Sequence, residues 1–165
     1  MSASIVQAHR LPAGADGIVR LGLIGAGIQA SRTPAMHMAE AAAQGFACDY
    51  RLIDLEVLHK GPDALPDLLA QAEAQGFAGL NITYPCKQSV VPLLHDLSDE
   101  ARALGAVNTV VLRDGRRTGH NTDCSGFGES FRRFLPDAPR ASVVQLGAPA
   151  GNAAAVCVAF HTGAG

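Results

Sequence analysis

The segment NITYPCK at residues 81–87 ends an apolar run with a proline and then presents a lysine. Asn81 and Thr83 stand two positions apart, so their side chains lie on the same face of a strand. Pro85 is suited to a helix start, which would place Lys87 in the first turn, where the helix dipole disfavours an ammonium ion. A partly desolvated lysine there suits acid–base chemistry; an exposed lysine on a surface helix is the alternative.

A second polar segment, GHNTDCSGF at residues 119–127, follows a predicted strand and leads into a helix. The Asp123 carboxylate could face Lys87, and a carboxylate–amine pair of this kind can hold a substrate hydroxyl and pass a proton. Equally, Asp123 could cap the helix that follows, which is a common role for aspartate. The residues alone leave these two roles open.

Two hydroxyl groups, those of Ser31 and Thr33, stand in the segment SRTPAMH beside a predicted helix start. Hydroxyls and the backbone N–H groups at a helix start all donate hydrogen bonds, so this position suits a carboxylate ligand. Ordinary capping of the helix by Thr33, ahead of Pro34, is the alternative, but it leaves Ser31 unexplained. Asn108, in the segment GAVNT, begins a further strand and alone is equally typical of a turn.

An alternation of strands and helices along the chain positions these segments. Apolar runs predict strands at 19–27, 48–55 and 78–83, and helices are predicted from Thr33 to Gly45 and over 63–75. This order is typical of an α/β fold with three layers, in which helices flank a largely parallel, mixed sheet. Ligands bind beyond the carboxyl ends of the strands in such sheets, where the polar segments stand.

The rest of the chain adds further elements to this pattern. We expect a short helix broken at Pro92, a helix capped by Ser98, a hairpin over 108–123 with an Asp-Gly turn, and a helix over 126–135. A further buried strand is predicted at 141–147, before a second glycine-containing turn.

The composition limits the classes of function. The chain has 165 residues, 48% of them hydrophobic, which suffices for one domain and part of a second. A formal net charge of −2 without a basic run argues against nucleic acid as a partner, and no apolar run is long enough to span a membrane. The cysteines at positions 48, 86, 124 and 157 form no Cys-x-x-Cys pair, so we expect reduced thiols, no metal site and a cytoplasmic protein.

The segments SRTPAMH, NITYPCK, GAVNT and NTDCSGF resemble the shikimate dehydrogenase family, in particular its quinate/shikimate dehydrogenase branch, in their order and spacing. The SRTP form, with one serine and one threonine, is similar to the quinate-using branch. The resemblance implies an oxidoreductase of the shikimate pathway, which leads to the aromatic amino acids. It would transfer hydride reversibly between NAD or NADP and shikimate or quinate, with 3-dehydroshikimate or 3-dehydroquinate as the oxidised partner.

The resemblance also implies a role for each matching position. The implied substrate-binding residues are Ser31, Thr33, Asn81, Thr83, Lys87, Asn108 and Asp123. Ser31 and Thr33 would bind the substrate carboxylate, and the others would hold or support the ring hydroxyls. Lys87 and Asp123 are the implied catalytic pair, with Lys87 as the acid–base residue at the hydroxyl that is oxidised.

The match weakens at the implied cofactor site. In the family, VVQLG opens the nucleotide-binding domain and a glycine-rich turn follows, which lets the backbone approach the pyrophosphate. Here GAPAGNAAAV keeps Gly147 and Gly151 as candidate cofactor-binding residues, but Pro149 removes a backbone N–H. We expect a substrate-binding domain over residues 1–136. A linker and the incomplete start of a Rossmann-like NAD(P)-binding domain would follow over 137–165, with a truncation or frame change near residue 148.

Two alternatives accompany this hypothesis. The chain could be a non-catalytic module that binds shikimate or quinate, for example as a sensor. It could also be a structural α/β fragment without activity. A small-molecule substrate is the expected partner, and the assembly state stays open, with a homodimer as one option.

Overall fold

The computed structural model describes Gly14, residues 16–135 and Asp137. Its centre is one six-stranded sheet in the order β2-β1-β3-β5-β6-β4. The strands are β1 (Val19–Gly25), β2 (Cys48–Asp54), β3 (Phe77–Ile82), β4 (Asp96–Leu97), β5 (Thr109–Arg113) and β6 (Arg116–His120). The helices are α1 (Thr33–Ala43), α2 (Leu65–Ala74), α3 (Cys86–Ser89), α4 (Asp99–Leu104) and α5 (Asp123–Phe134), with 3-10 turns at Pro62–Ala64 and Val91–Leu93.

All strands of this sheet run in one direction except β5. β1 pairs in parallel with β2 and β3, and β4 pairs in parallel with β6. β5 is antiparallel to its neighbours β3 and β6. The prediction of a largely parallel, mixed sheet flanked by helices is therefore confirmed. Helices join the parallel strands because the chain must travel back along the sheet between them.

Apolar side chains on both faces of the sheet produce three layers. On one face, Ile24 packs in the larger core with leucines of α2 such as Leu65. On the other face, Leu23 packs with Tyr50, and the Tyr50 ring stacks on His37 of α1 with 5.0 Å between ring centroids. Because successive strand residues point to opposite faces, α1 and α2 cover opposite faces of the sheet. Burial of each such leucine or isoleucine stabilises the fold by about 1.5–3 kcal/mol.

The predicted hairpin is present as β5 and β6. Asp114 and Gly115 form its two-residue turn with φ values of 52° and 71°, the left-handed backbone that such turns require. The register pairs Thr109 with His120, and the Asn108 N–H donates to the His120 carbonyl at 3.0 Å. The hairpin thus brings the residues before β5 beside those after β6.

Several predicted helix starts differ from the structure. Thr33 is the first residue of α1 rather than its cap, because the Ser31 hydroxyl accepts the hydrogen bond of the Thr33 N–H. Pro85 occupies the N-cap position ahead of α3, and its peptide bond with Tyr84 is cis. Helix α5 begins at Asp123 rather than at 126.

Strand β4 is not predicted by the sequence pattern, because two residues are too few to show an alternation. It adds to the sheet by pairing Leu97 with Gly119 of β6. The cap predicted at Ser98 is confirmed, since its Oγ accepts from the Ala101 N–H at 3.2 Å. Within the described ranges, none of the helices combines the length and apolar character that crossing a bilayer requires.

Candidate functional site

The polar segments singled out in the sequence leave the sheet at one edge. β1 and β3 run in parallel and end together, with Ile24 of β1 opposite Ile82 of β3. β5 starts where β3 ends, because Thr109 pairs with Asn81, and β6 ends there too, because Thr109 also pairs with His120. The chain leaves or enters the sheet at this edge through residues 26–32, 83–85, 106–108 and 121–122.

Lys87 and Asp123 form an ion pair at this edge. The Lys87 Nζ lies 2.7 Å from Asp123 Oδ2, and their side chains are only 17% and 31% exposed. The other oxygen, Asp123 Oδ1, accepts from Asn108 Nδ2 at 3.0 Å. Of the two roles left open for Asp123, its side chain therefore takes the one that faces Lys87. Because α3 spans only four residues, its dipole is small, and the Asp123 carboxylate is the nearest opposite charge to the amine.

Asn108 links the start of β5 to the segment before α5. Its Nδ2 also donates to Thr122 Oγ1 at 3.0 Å, and its Oδ1 accepts from the Thr122 N–H at 3.2 Å. Asn121, only 3% exposed, donates to the Ala106 carbonyl and accepts from the Asp123 N–H, both at 2.9 Å. These bonds hold the Asp123 carboxylate at a fixed position against the hairpin.

Asn81 is joined to the same network through Thr109. Its Nδ2 donates to Thr109 Oγ1 at 3.3 Å, and Thr109 Oγ1 donates to Asn108 Oδ1 at 3.0 Å. The Tyr50 hydroxyl donates to Asn81 Oδ1 at 2.7 Å. Burial raises the pKa of the Tyr50 phenol above its usual value, so the hydroxyl stays a neutral donor. Sequence reasoning missed Tyr50, because its partner belongs to a strand that is not adjacent to β2.

Ser31, Thr33 and Thr83 line a second part of the edge. They border a cavity of about 340 Å³ that is also lined by Ile28 and Tyr84. The Ser31 hydroxyl donates to Thr33 Oγ1 at 3.0 Å, which leaves the Thr33 hydroxyl hydrogen available to a ligand. Both hydroxyls stand at the start of α1, where backbone N–H groups lack partners within the helix.

Gly25 allows Thr83 to reach this position. A Cβ at residue 25 would overlap the Thr83 methyl carbon and would lie 3.0 Å from the Tyr84 carbonyl oxygen. The Thr83 N–H donates to the Ile24 carbonyl at 2.9 Å, and the Ala26 N–H donates to the Tyr84 carbonyl at 2.9 Å. The ends of β1 and β3 are thus packed backbone to backbone beneath the cavity.

Asp54, at the end of β2, is a second residue that the sequence analysis missed. It is 3% exposed, and its two oxygens accept four hydrogen bonds of 2.9–3.0 Å, from Gly27 N, Ile28 N, Gln29 Nε2 and Glu56 N. The Gln29 amide, followed by the backbone donors, holds the pKa of the Asp54 carboxyl below its usual value, although burial acts in the opposite direction. An acidic residue at the end of an apolar strand was the available signal.

The structure therefore brings the predicted site residues into two groups at one sheet edge. Lys87, Asn81, Asn108 and Asp123 belong to one continuous hydrogen-bond network. Ser31, Thr33 and Thr83 share the cavity beside it. The predicted cofactor residues Gly147 and Gly151 lie outside the described residues. In the described part of the chain, no group of three or more His, Cys, Asp or Glu side chains is arranged to hold a metal ion.

A known domain family matches this part of the chain. The family model for the shikimate dehydrogenase substrate binding domain matches residues 23–110, which is more than half of the chain. The chain belongs to the shikimate dehydrogenase family. The matched range contains the Ser31, Thr33, Thr83, Lys87 and Asn108 positions.

Relatives within the shikimate dehydrogenase family include enzymes named for both cofactors. The chain is 53% identical over 145 residues to shikimate dehydrogenase (NADP(+)) of Streptomyces avermitilis, covering 88% of this chain and 50% of that protein. It is 52% identical over 145 residues to quinate/shikimate dehydrogenase (NAD(+)) of Corynebacterium efficiens, covering 87% of this chain and 51% of that protein. The chain therefore spans about half the length of these curated relatives.

Solved structures of family members have the same fold. Quinate dehydrogenase of Corynebacterium glutamicum in complex with NAD superposes with a TM-score of 0.81 at 50% identity, covering 88% of this chain and 52% of that one. Shikimate 5-dehydrogenase of Thermus thermophilus in complex with NADP(H) and shikimate superposes with a TM-score of 0.76 at 32% identity, covering 88% and 53%. The fold of the described residues is thus that of about half of a shikimate dehydrogenase.

Proposed function

We propose that this chain provides the substrate site of an NAD(P)-dependent shikimate or quinate dehydrogenase. The observation that carries the proposal is the Lys87–Asp123 pair, bound to Asn108 at the same sheet edge as the Ser31 and Thr33 hydroxyls. An amine, a carboxylate, amides and hydroxyls at one edge suit a small acid that carries several hydroxyl groups.

The carboxylate end of the ligand binds at Ser31 and Thr33 in this proposal. The Thr33 hydroxyl donates its hydrogen bond to the anion, the Ser31 hydroxyl holds Thr33 Oγ1 in place, and the start of α1 adds a favourable partial positive charge. Charge-assisted hydrogen bonds of this kind are stronger than neutral ones, so this end supplies much of the binding energy. Thr83, in the same cavity, is assigned to a ring hydroxyl next to the carboxylate end.

The reacting hydroxyl lies at the Lys87–Asp123 pair in this proposal. When the alcohol is oxidised, its hydroxyl proton passes to the pair; in the reverse direction the pair returns the proton to the carbonyl oxygen. Asn108 holds the Asp123 carboxylate of the pair, and Asn81 is joined to Asn108 by hydrogen bonds through Thr109. Together they fix the position of the pair relative to the ring hydroxyls. The hydride would be taken up by the nicotinamide ring of NAD or NADP.

A binding experiment on the chain tests this proposal. We expect shikimate or quinate, titrated into the ¹⁵N-labelled protein, to shift the amide signals of Thr33, Thr83 and Asn108 together. Thr33→Val, which removes the hydroxyl at equal shape, should weaken binding by about tenfold. Thr118→Val, in the middle of β6 and away from this edge, is the matched control and should leave binding unchanged. No shift with either acid at millimolar concentration contradicts the proposal.

A non-catalytic binding module is the second candidate, because the cavity beside Ser31, Thr33 and Thr83 offers hydroxyl donors that could bind an acid without any cofactor. Both candidates expect Lys87→Met to retain ligand binding. They differ in turnover, which only the dehydrogenase shows when NAD or NADP is supplied with the full-length protein. The assay should run with both acids and both cofactors, with Lys87→Met as the inactive reference.

The remaining assignments follow from the same proposal. We place the domain boundary near residue 136 and the protein in the cytoplasm, a location supported by the free thiols of Cys48, Cys86 and Cys124. Limited proteolysis with mass spectrometry tests the boundary. Small-molecule substrates, rather than nucleic acid, are the proposed partners. Sedimentation analysis distinguishes a monomer from the homodimer.

A further inference from the structure

We propose that Asp54 is a positioning residue that holds the Ser31 and Thr33 hydroxyls in place for the ligand carboxylate. The inference rests on the proposed function. Asp54 does not touch the cavity residues Ser31 and Thr33 through its own side chain; it acts on the loop of residues 26–32 that carries them from β1 to α1.

The hydrogen bonds lead from Asp54 to the hydroxyls in few steps. Asp54 Oδ2 accepts from the Ile28 N–H at 3.0 Å, and the Ile28 carbonyl accepts from the Ser31 N–H at 2.9 Å. The Ser31 hydroxyl then accepts from the Thr33 N–H at 3.2 Å and donates to Thr33 Oγ1 at 3.0 Å. A shift of the Asp54 carboxylate would therefore move both hydroxyls.

The loop backbone is shaped around this carboxylate. Gly27, whose N–H donates to Asp54 Oδ1 at 3.0 Å, has φ +65°, and a Cβ there would lie 3.3 Å from the Glu56 carboxylate oxygens. Gly27 and Ile28 both line the cavity. Because their N–H groups point to Asp54, they are not available to the ligand, and the hydroxyls must serve as the donors. Asp54 thereby decides which loop groups face the ligand.

The direction in which one substitution changes the affinity for shikimate distinguishes positioning by Asp54 from simple charge repulsion. Asp54→Asn removes a buried negative charge near the proposed carboxylate site. If the charge only repelled the ligand, shikimate would bind more tightly to the variant. If Asp54 positions the loop, shikimate affinity falls by about tenfold or more, since the Asn amide nitrogen cannot accept from the loop N–H groups.

Two further variants distinguish an effect on the loop from a general loss of folding. Gln29→Ala removes one of the four donors to Asp54 from an exposed side chain, and it should weaken shikimate binding about two- to threefold. Glu73→Gln is the matched control. It disturbs two hydrogen bonds of 2.7 Å from Arg117 at the opposite end of the sheet, and it should leave shikimate binding unchanged.

The experiment measures shikimate binding by NMR titration and hydrogen exchange of the Ser31 amide in the ligand-free proteins. We expect weaker binding and faster Ser31 exchange in Asp54→Asn and Gln29→Ala, but not in Glu73→Gln. Unchanged or tighter binding together with unchanged Ser31 exchange overturns the inference. If the unmodified protein binds neither shikimate nor quinate, the proposed function fails, while the Ser31 exchange still decides whether Asp54 holds the loop.

Discussion

The Tyr50 hydroxyl and the Asn81 side-chain oxygen, 31 positions apart in sequence, are joined by a hydrogen bond of 2.7 Å. This bond leaves the Asn81 amide nitrogen directed towards Thr109 and the network that holds Asp123. Tyr50 itself is 8% exposed and stacks on His37, so its hydroxyl has a fixed direction. The orientation of Asn81 at the site is therefore set from the edge strand β2, which is separated from β3 by β1.

Replacement of Tyr50 by Phe tests this bond. The ring and its stacking remain, but Asn81 loses a buried partner, so we expect the free energy of unfolding to fall by about 1 kcal/mol, measured by urea denaturation. Tyr84→Phe is the matched control, because Tyr84 is 74% exposed, and it should change stability by less than about 0.5 kcal/mol. Equal effects of the two substitutions would contradict the assignment.

The partly buried Lys87–Asp123 pair should couple more strongly than a surface pair. In a double-mutant cycle of Lys87→Met and Asp123→Asn, we expect an interaction free energy of about 1–2 kcal/mol, measured by urea denaturation. The same cycle on Arg116 and Asp96, whose side chains are 60% and 53% exposed, should yield a clearly smaller interaction free energy, because solvent screens exposed charges. Similar values for both pairs would show that burial adds nothing at the site.

Gly25→Ala should displace Thr83 from the cavity. The added methyl group would overlap the Thr83 side chain and approach the Tyr84 carbonyl, so we expect a loss of about 1–3 kcal/mol in stability, together with altered amide signals for Thr83. Gly126→Ala is the control within α5, where an added Cβ meets no atom within 4 Å, and helix propensity predicts a gain of up to about 1 kcal/mol. An unshifted Thr83 signal in Gly25→Ala would be inconsistent with the packing.

The lowered pKa of Asp54 leads us to expect that the stability of the fold depends on pH. Its pKa in the folded state lies below the unfolded value of about 3.9 because Gln29 and the loop N–H groups favour the carboxylate. Ionised Asp54 therefore stabilises the fold above that unfolded value, and the contribution is lost as the pH falls through the lower folded-state pKa.

Urea unfolding of the unmodified protein and of Asp54→Asn measures this effect. The difference in the free energy of unfolding between the two should be constant near neutral pH and should narrow as the pH is lowered below about 4. The narrowing isolates Asp54 from other carboxylates with lowered pKa values, such as Glu73 and Asp96, since both proteins contain them. A difference that does not change with pH would rule out the stabilised carboxylate.

Local sequence patterns were sufficient to predict most of the strands and helices of the fold. Apolar runs and turn residues predicted strands β1, β2 and β3, the helices between them and the Asp114–Gly115 hairpin, because these features depend on neighbouring residues. Helix starts were less accurate. Thr33 was predicted to cap α1, but its own N–H donates to the Ser31 hydroxyl and it is the first residue of the helix. A sequence pattern cannot tell which of two hydroxyl residues so close together accepts the hydrogen bond at a helix start.

The linear order of residues was enough to predict the residue types at the site and the strand ends that carry them, including Ser31, Thr83, Lys87 and Asn108. The folded arrangement was needed to show that Asp123, 36 positions from Lys87, pairs with the amine, and that Tyr50 and Asp54 support the site from β2. Strand order and register set the hydrogen-bond partners of buried polar groups. They bring residues that are distant in sequence within about 3 Å of one another, and such pairs produce no periodic pattern along the chain.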